Sequence, residues 1–284
     1  MPTDKIKAIL RLFRPDLSLA AGICVVAGQI LAAGRLPSLV TGLAGFLCGF
    51  ALSASAIILN DYFDYEVDLV NAPERPLPSG AISRPEAIVL AVATAFSGLS
   101  AAFSLGVPAL IVSGIFWIIG FLYNWRYKRS GLPGNLMVCA SVAITFILGA
   151  MTVQDPWNKV VWTFSIMAFF LDLGEEIAGD AMDMEGDKKR SSRSIALVKG
   201  KRFALNISIA CWALFVLLSL VPALLGWLGL VYLIIILITD AIIAFFAIRL
   251  MKSQDPSSGR NAMRGIYIGA TLGIIAFLVG KFIR

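Results

Sequence analysis

The chain has 284 residues, 58% of them hydrophobic and only 15% charged, with a mean hydropathy of +0.84. A water-soluble domain carries roughly 25% charged residues, so composition excludes an ordinary soluble enzyme and points to an all-α, polytopic membrane protein. The net charge of +6 does not mark a nucleic-acid binder, because the basic residues sit in short segments between apolar runs, where they set topology.

The chain opens on a short basic amphipathic stretch, Lys5 to Arg14, which leads into the first span and lacks the form of a cleavable signal. Nine spans are predicted, near 17–33, 36–59, 86–103, 107–123, 134–152, 158–178, 203–221, 224–248 and 263–281. Most have about the 17 to 25 residues that a ~30 Å hydrocarbon core requires at ~1.5 Å per residue. Pro37, Pro108, Pro133, Pro156 and Pro222 fall at or near connections, where proline is tolerated. Short connections near 34–36, 104–106, 153–157 and 222–223 alternate with longer polar ones near 60–85, 124–133, 179–202 and 249–262. Of the 24 Lys and Arg, all but Arg35, Lys159, Lys281 and Arg284 belong to the N-terminal arm or the longer connections, with Arg264 counted at the edge of the last of these. The positive-inside rule therefore places the N-terminus and the long loops on the cytoplasmic side, and nine spans leave the C-terminus outside. Cys24, Cys48, Cys139 and Cys211 all lie in apolar runs without metal-ligand spacing and read as small buried hydrophobes. There is no histidine, which removes the commonest general base and transition-metal ligand.

One acidic pattern occurs twice. Asp61, Asp64 and Asp68 are spaced three then four, and so are Asp180, Asp183 and Asp187. On a helix that spacing puts all three carboxylates on one face. Each triad follows a long apolar run, the second and the sixth span, so both fall at one membrane surface. Three like charges on one stripe repel unless a cation sits among them. A hard divalent ion such as Mg²⁺ prefers oxygen ligands and often brings a phosphate with it. The first triad continues through Asn71, Arg75, Pro76, Pro78, Ser79 and Gly80; there Arg75 can offer a bidentate fork to phosphate. The recurrence after the sixth span is compatible with two halves related by a parallel tandem repeat.

The run Asn-Asp-x-x-Asp-x-x-x-Asp from Asn60 to Asp68, with a second aspartate motif after the sixth span, resembles the UbiA-type intramembrane prenyltransferases. The resemblance covers essentially the whole chain as one domain, 1–284, with its motifs at 60–68 and 180–187. The segment Asn60 to Gly80 is especially similar to the archaeal branch that makes digeranylgeranylglyceryl phosphate. The resemblance implies nine helices around a central cavity that opens to the lipid, an isoprenyl diphosphate bound with Mg²⁺ between the two motifs, and transfer of the prenyl group to a lipid-like acceptor. It makes Asp61, Asp64, Asp68, Asp180, Asp183 and Asp187 metal ligands, with Asp64, Asp68 and Asp183 essential to catalysis, and places Asn60 in the first motif. Members often carry Arg-Glu-x-x-Lys before the second motif; here Glu175-Glu176-Ile177-Ala178-Gly179 lacks both basic residues. Phosphate contacts must then come from elsewhere. Tyr123 and Lys128 in the third long loop resemble the family's Tyr/Lys segment facing the diphosphate, although basic and aromatic residues also belong at membrane interfaces. Arg14, before Pro15, has two readings, a phosphate contact or a topology anchor. So does the run Lys188, Lys189, Arg190 and Arg193: an anionic-lipid anchor, or a contact for an acceptor's phosphate.

Two acids lie inside spans, Asp172 and Asp240, and intramembrane acids are usually functional. Asp172 is a candidate to face the catalytic cavity, and Asp240 has no evident partner in the sequence. Phe46, Phe50, Phe116, Trp117, Phe169 and Phe170 are candidates either to line a prenyl groove or simply to pack. The expected chemistry is ionisation of an allylic diphosphate, with charge neutralised at the leaving group and water excluded. Within the family, quinone, haem and chlorophyll-type acceptors are alternatives. A secondary transporter is the rival from another class, but its acids would sit near the bilayer centre. A CDP-alcohol phospholipid synthase would need an Asp-Gly-x-x-Ala-Arg signature, which is absent.

Overall fold

The computed structural model describes residues 2–189, 192–253 and 255–283, and these are helical with no strand among them. The helices are α1 (Pro2–Leu12), α2 (Pro15–Ala33), α3 (Leu39–Phe63), α4 (Tyr65–Asn71), α5 (Arg84–Ser104), α6 (Val107–Trp125), α7 (Leu132–Thr152), α8 (Lys159–Met182), α9 (Met184–Lys189), α10 (Ile195–Lys199), α11 (Lys201–Ser219), α12 (Val221–Leu224), α13 (Leu230–Met251) and α14 (Pro256–Phe282). The nine long ones, α2, α3, α5, α6, α7, α8, α11, α13 and α14, are the nine expected spans. By length and hydropathy eight of the described helices can cross a membrane; α8 falls short only because Asp172, Glu175, Glu176 and Asp180 lie along it. The protein is a multi-pass membrane protein.

Most span boundaries fall within about four residues of the sequence expectation, and two differ by more. The eighth span begins at Leu230 rather than near 224, because Leu225–Gly229 form a turn with Gly226 at φ +64°. That turn is itself apolar, so hydropathy does not mark it. The last helix begins at Pro256, seven residues before the expected start, with Asp255 accepting from the Ser258 backbone N–H at 2.8 Å as its cap. Similar caps start α3 at Ser38, α8 at Asn158 and α5 at Ser83, where Ser83 and Glu86 form a reciprocal capping box.

The chain divides into two compact units. The first comprises Met1–Gln29, Leu36–Arg126 and Thr145–Pro156; the second comprises Ile30–Arg35, Tyr127–Ile144 and Trp157–Arg284. In the first, α2 and the end of α7 approach so closely that a Cβ on Gly149 would lie 2.1 Å from the Val25 carbonyl, and one on Gly28 2.1 Å from that of Phe146. Small residues are what let membrane helices touch backbone to backbone. Also in the first unit, Leu12 of α1 packs with Ile58, Leu59, Leu77 and Ile82, which pins the loop after α4 beneath the first aspartate motif. In the second, α8 packs on α11, where the Trp212 indole N–H donates to the Leu171 carbonyl at 3.1 Å and crosses beside Gly174. Cys48, Cys139 and Cys211 are buried and Cys24 is half-buried.

Candidate active site

The first motif is not one uninterrupted helix. Asp61 lies in the last turn of α3, Asp68 sits in α4, and Asp64 between them leaves helical geometry at φ −85°, ψ 1°. The backbone hydrogen bonds nonetheless run through the break, Asp64 N–H to Asn60 O at 3.0 Å and Asp68 N–H to Asp64 O at 2.8 Å. Asp61 and Asp68 are 2% and 5% exposed. Buried carboxylates need compensation, and two arginines supply it. Arg14 donates to Asp61 Oδ1 at 2.5 Å. Arg75 donates to Asp68 Oδ2 at 2.5 Å and lies 3.8 Å from Asp61 Oδ1.

Both arginines are placed by local backbone. Arg14 separates α1 from α2 at φ +41°, a left-handed conformation for a non-glycine residue, directly before Pro15 at the first turn of α2. Such a conformation costs about 1–3 kcal/mol and persists only where its surroundings hold it; here the Asp61 ion pair does so. Arg75 rides on the tight loop of Pro76, Pro78 and Gly80, the last at φ +75°, anchored by buried Leu77 and Ile82. Half-burial works against the Arg75 charge, but the Asp68 hydrogen bond and the fields of Asp68, Asp61 and Asp64 hold its pKa above the usual value. The fork expected to face phosphate is thus engaged by a carboxylate in this structure. Arg84 stacks over the Tyr62 and Tyr65 rings, 4.6 and 5.2 Å from their centroids.

The second motif repeats the local geometry. Asp180 is near the end of α8, Asp187 is in α9, and Asp183 breaks the helix at φ −115°, ψ 27°. Again the ladder continues, Asp183 N–H to Gly179 O at 3.0 Å and Asp187 N–H to Asp183 O at 2.9 Å. Asp187 is 8% exposed, whereas Asp183 is exposed. The Asp183 carboxylate lies so close to Gly186 that a Cβ there would sit 2.7 Å from Oδ1; the glycine leaves that carboxylate room. The partner of Asp180 is an amide: Asn135 Nδ2 of α7 donates to its Oδ2 at 3.0 Å.

Among the other expected residues, Asn60 lies in the last turn of α3, one residue before Asp61, and Tyr123 is half-buried near the end of α6. Lys128 is half-buried in a short 3₁₀ turn, Tyr127–Arg129. That turn is brought against the chain following the second motif, where the Arg193 N–H donates to the Arg129 carbonyl at 3.0 Å. Lys188 is exposed on α9; the side chain of Lys189 and all of Arg190 lie outside the described residues. Asp172 lies near Cys139 of α7, and its Oδ2 has no hydrogen-bond partner among the described residues. Asp240, partnerless in sequence, is paired with Ser219 Oγ at 2.7 Å from Oδ2. Of the aromatic candidates, Phe46 and Phe50 stack at 5.9 Å, Phe169 and Phe170 meet edge to face, and the Trp117 indole donates to Ser55 Oγ at 3.0 Å.

The donor chemistry fits a hard divalent cation: each motif offers three aligned aspartates and no imidazole or thiolate. Among the described residues, however, no three such side chains converge closely enough to coordinate an ion as they stand.

Residues 21–278 match the model of the UbiA prenyltransferase family. The chain belongs to the UbiA prenyltransferase family. Among curated relatives, digeranylgeranylglyceryl phosphate synthase of Thermococcus kodakarensis is 33% identical over 278 residues, covering 98% of this chain and 99% of the relative. The synthase of the same name from Methanopyrus kandleri is 32% identical over 272 residues, covering 96% and 98%. A solved structure concerned with digeranylgeranylglyceryl phosphate synthase in membranes superposes with a TM-score of 0.85 at 28% identity, covering 98% of this chain and 99% of that one. A UbiA homologue from Archaeoglobus fulgidus bound to GPP and Mg²⁺ shares the fold at a TM-score of 0.66 and 21% identity, with 97% and 99% coverage. As a member of this family the protein is an enzyme that transfers prenyl groups.

Three parts of this arrangement escape sequence reasoning. Arg14 meets Asp61 across 47 positions of sequence, and Asn135 meets Asp180 across 45. Gly186 is legible only once Asp183 is seen to turn back on it. Asn135 did carry a signal, an amide at the head of an apolar span, where polar side chains are rarely idle.

Proposed function

We propose that the protein transfers a geranylgeranyl group from geranylgeranyl diphosphate to geranylgeranylglyceryl phosphate, forming an archaeal ether lipid. The observation that carries this reading is the end-to-end likeness to synthases of that name, in a chain whose two aspartate motifs share one bent-helix geometry. In the reaction the acceptor hydroxyl oxygen bonds to C1 of the geranylgeranyl group. The C1–O bond to diphosphate breaks, diphosphate leaves with the bonding pair, and the hydroxyl proton is released.

Asp61, Asp64 and Asp68 in one motif, and Asp180, Asp183 and Asp187 in the other, would hold Mg²⁺. Bound there, it would neutralise the departing diphosphate as a Lewis acid. The relative bound to GPP and Mg²⁺ is in keeping with that role. Arg14 and Arg75 fix the carboxylates of the first motif and bring positive charge to it. Asn60, Tyr123 and Lys128 complete the donor's phosphate contacts. Lys188, Lys189 and the following basic residues receive the acceptor's phosphate, offsetting the charge that a second anionic substrate brings. The surrounding apolar helices keep water from a carbocation-like centre.

The basic loops place both motifs and the N-terminus on the cytoplasmic side and the C-terminus outside; reporter fusions at the two ends test this. The acceptor is tested by competition. Purified protein is given labelled geranylgeranyl diphosphate with equimolar geranylgeranylglyceryl phosphate and 4-hydroxybenzoate, and the products are weighed by mass spectrometry. The doubly prenylated glyceryl phosphate is the expected product. A prenylated aromatic acid would move the protein to the quinone branch.

A further inference from the structure

The two aspartate motifs share their backbone break but differ in what grips a buried aspartate in each, and Asp180 of the second is gripped by a neutral group. Asn135 is 7% exposed in the first turn of α7. Its Nδ2 donates to Asp180 Oδ2 at 3.0 Å. Four residues further along α7, on the same face, Cys139 lies near Asp172 of α8, and Asn135 is the contact of that face with the second motif. A buried amide of this kind needs its partner as much as the partner needs it, since stripping either leaves a buried polar group unsatisfied.

We infer that Asn135 is a positioning residue for divalent-cation binding at the second motif: it fixes the Asp180 carboxylate in one rotamer by holding Oδ2, which leaves Oδ1 for the ion. The inference rests on the proposed role of Asp180 as a metal ligand and goes beyond it by assigning a side chain outside both motifs. The choice of an amide is physically apt. An arginine at this place would compete with the ion for the carboxylate's charge, whereas a neutral donor orients the carboxylate and leaves its charge intact. Hydrogen-bonded partners of metal ligands are typically worth 10–100-fold in metal affinity.

The test is equilibrium binding of Mn²⁺ to the full-length protein in detergent with inorganic pyrophosphate, read as free Mn²⁺ by electron paramagnetic resonance, alongside the Mg²⁺ concentration that gives half-maximal turnover. Asn135→Leu removes the donor while keeping the branching at Cγ, Asn135→Gln keeps an amide, and Asp180→Asn removes the carboxylate charge of the ligand itself. The expected result is a 10–100-fold weaker Mn²⁺ affinity and a matching rise in half-saturating Mg²⁺ for Asn135→Leu, with partial recovery in Asn135→Gln and maximal turnover returning at high Mg²⁺. Unchanged Mn²⁺ affinity in Asn135→Leu, with Asp180→Asn binding weakly, overturns this inference alone. Unchanged affinity in Asp180→Asn overturns the metal-ligand reading beneath it. Lower thermal stability of Asn135→Leu with unaltered ion affinity makes Asn135 a packing residue and also overturns the inference.

Discussion

The two aspartate motifs solve one problem by opposite means. In the first, Asp61 and Asp68 are buried and each is met by a guanidinium, Arg14 or Arg75, at 2.5 Å. In the second, Asp180 is met by the amide of Asn135 at 3.0 Å, and the residues before it are Glu175 and Glu176 rather than bases. The backbone is alike in both, a helix broken at the middle aspartate with its hydrogen-bond ladder preserved. Geometry is thus common to the motifs, while the partner of the buried aspartate differs: a guanidinium for Asp61 and for Asp68, an amide for Asp180.

The largest effect separates ligands from neighbours. Asp64→Ala and Asp183→Ala each remove the carboxylate at a break, and both are expected to abolish turnover while the protein still folds, because a ligand's contribution is worth several kcal/mol in the transition state. Retention of more than about a tenth of the rate, a loss under ~1.4 kcal/mol, would show that residue not to be a ligand. Next comes Gly186→Ala. Its Cβ, 2.7 Å from Asp183 Oδ1, should displace that carboxylate and cut turnover by up to about 10²-fold, with little change in the melting temperature; a normal rate would mean that Asp183 is not positioned by this contact.

Arg75→Ala should affect stability as well as rate. It strands Asp68, and leaving a buried charged group unpaired costs about 1–3 kcal/mol, toward the low end because the Arg75 side chain is 34% exposed. A melting temperature equal to that of the parent would place the weight of compensation on Arg14 instead. The smallest effect is expected from neutralising Lys188, Lys189 and Arg190 together. The acceptor KM should rise more than the donor KM, and equal shifts would leave these residues a topological role only.

Much of this was legible in the sequence because it is written in local patterns. Nine apolar runs marked the nine long helices, and the three-then-four spacing marked both motifs, since hydropathy and periodicity depend on neighbouring residues. What sequence did not carry is long-range or conformational. The three-then-four spacing assumed an unbroken helix, but Asp64 and Asp183 leave it. In sequence Arg14 fits a topology anchor equally well; its ion pair with Asp61 is set by the fold. The turn at Leu225–Gly229 is as apolar as the spans it joins, so only the positive φ of Gly226 reveals it. Asp240 found its partner in Ser219, which lies across a helix boundary at Leu220.

The most direct measurement is turnover of labelled geranylgeranyl diphosphate with geranylgeranylglyceryl phosphate by the purified full-length protein, before and after excess EDTA and again after Mg²⁺ is restored. The expected result is formation of the doubly prenylated glyceryl phosphate, its loss in EDTA, and its recovery with Mg²⁺, in part with Mn²⁺ and poorly with Ca²⁺, whose larger shell demands more ligands. Full turnover in EDTA, or no product from this pair of substrates, would contradict the account.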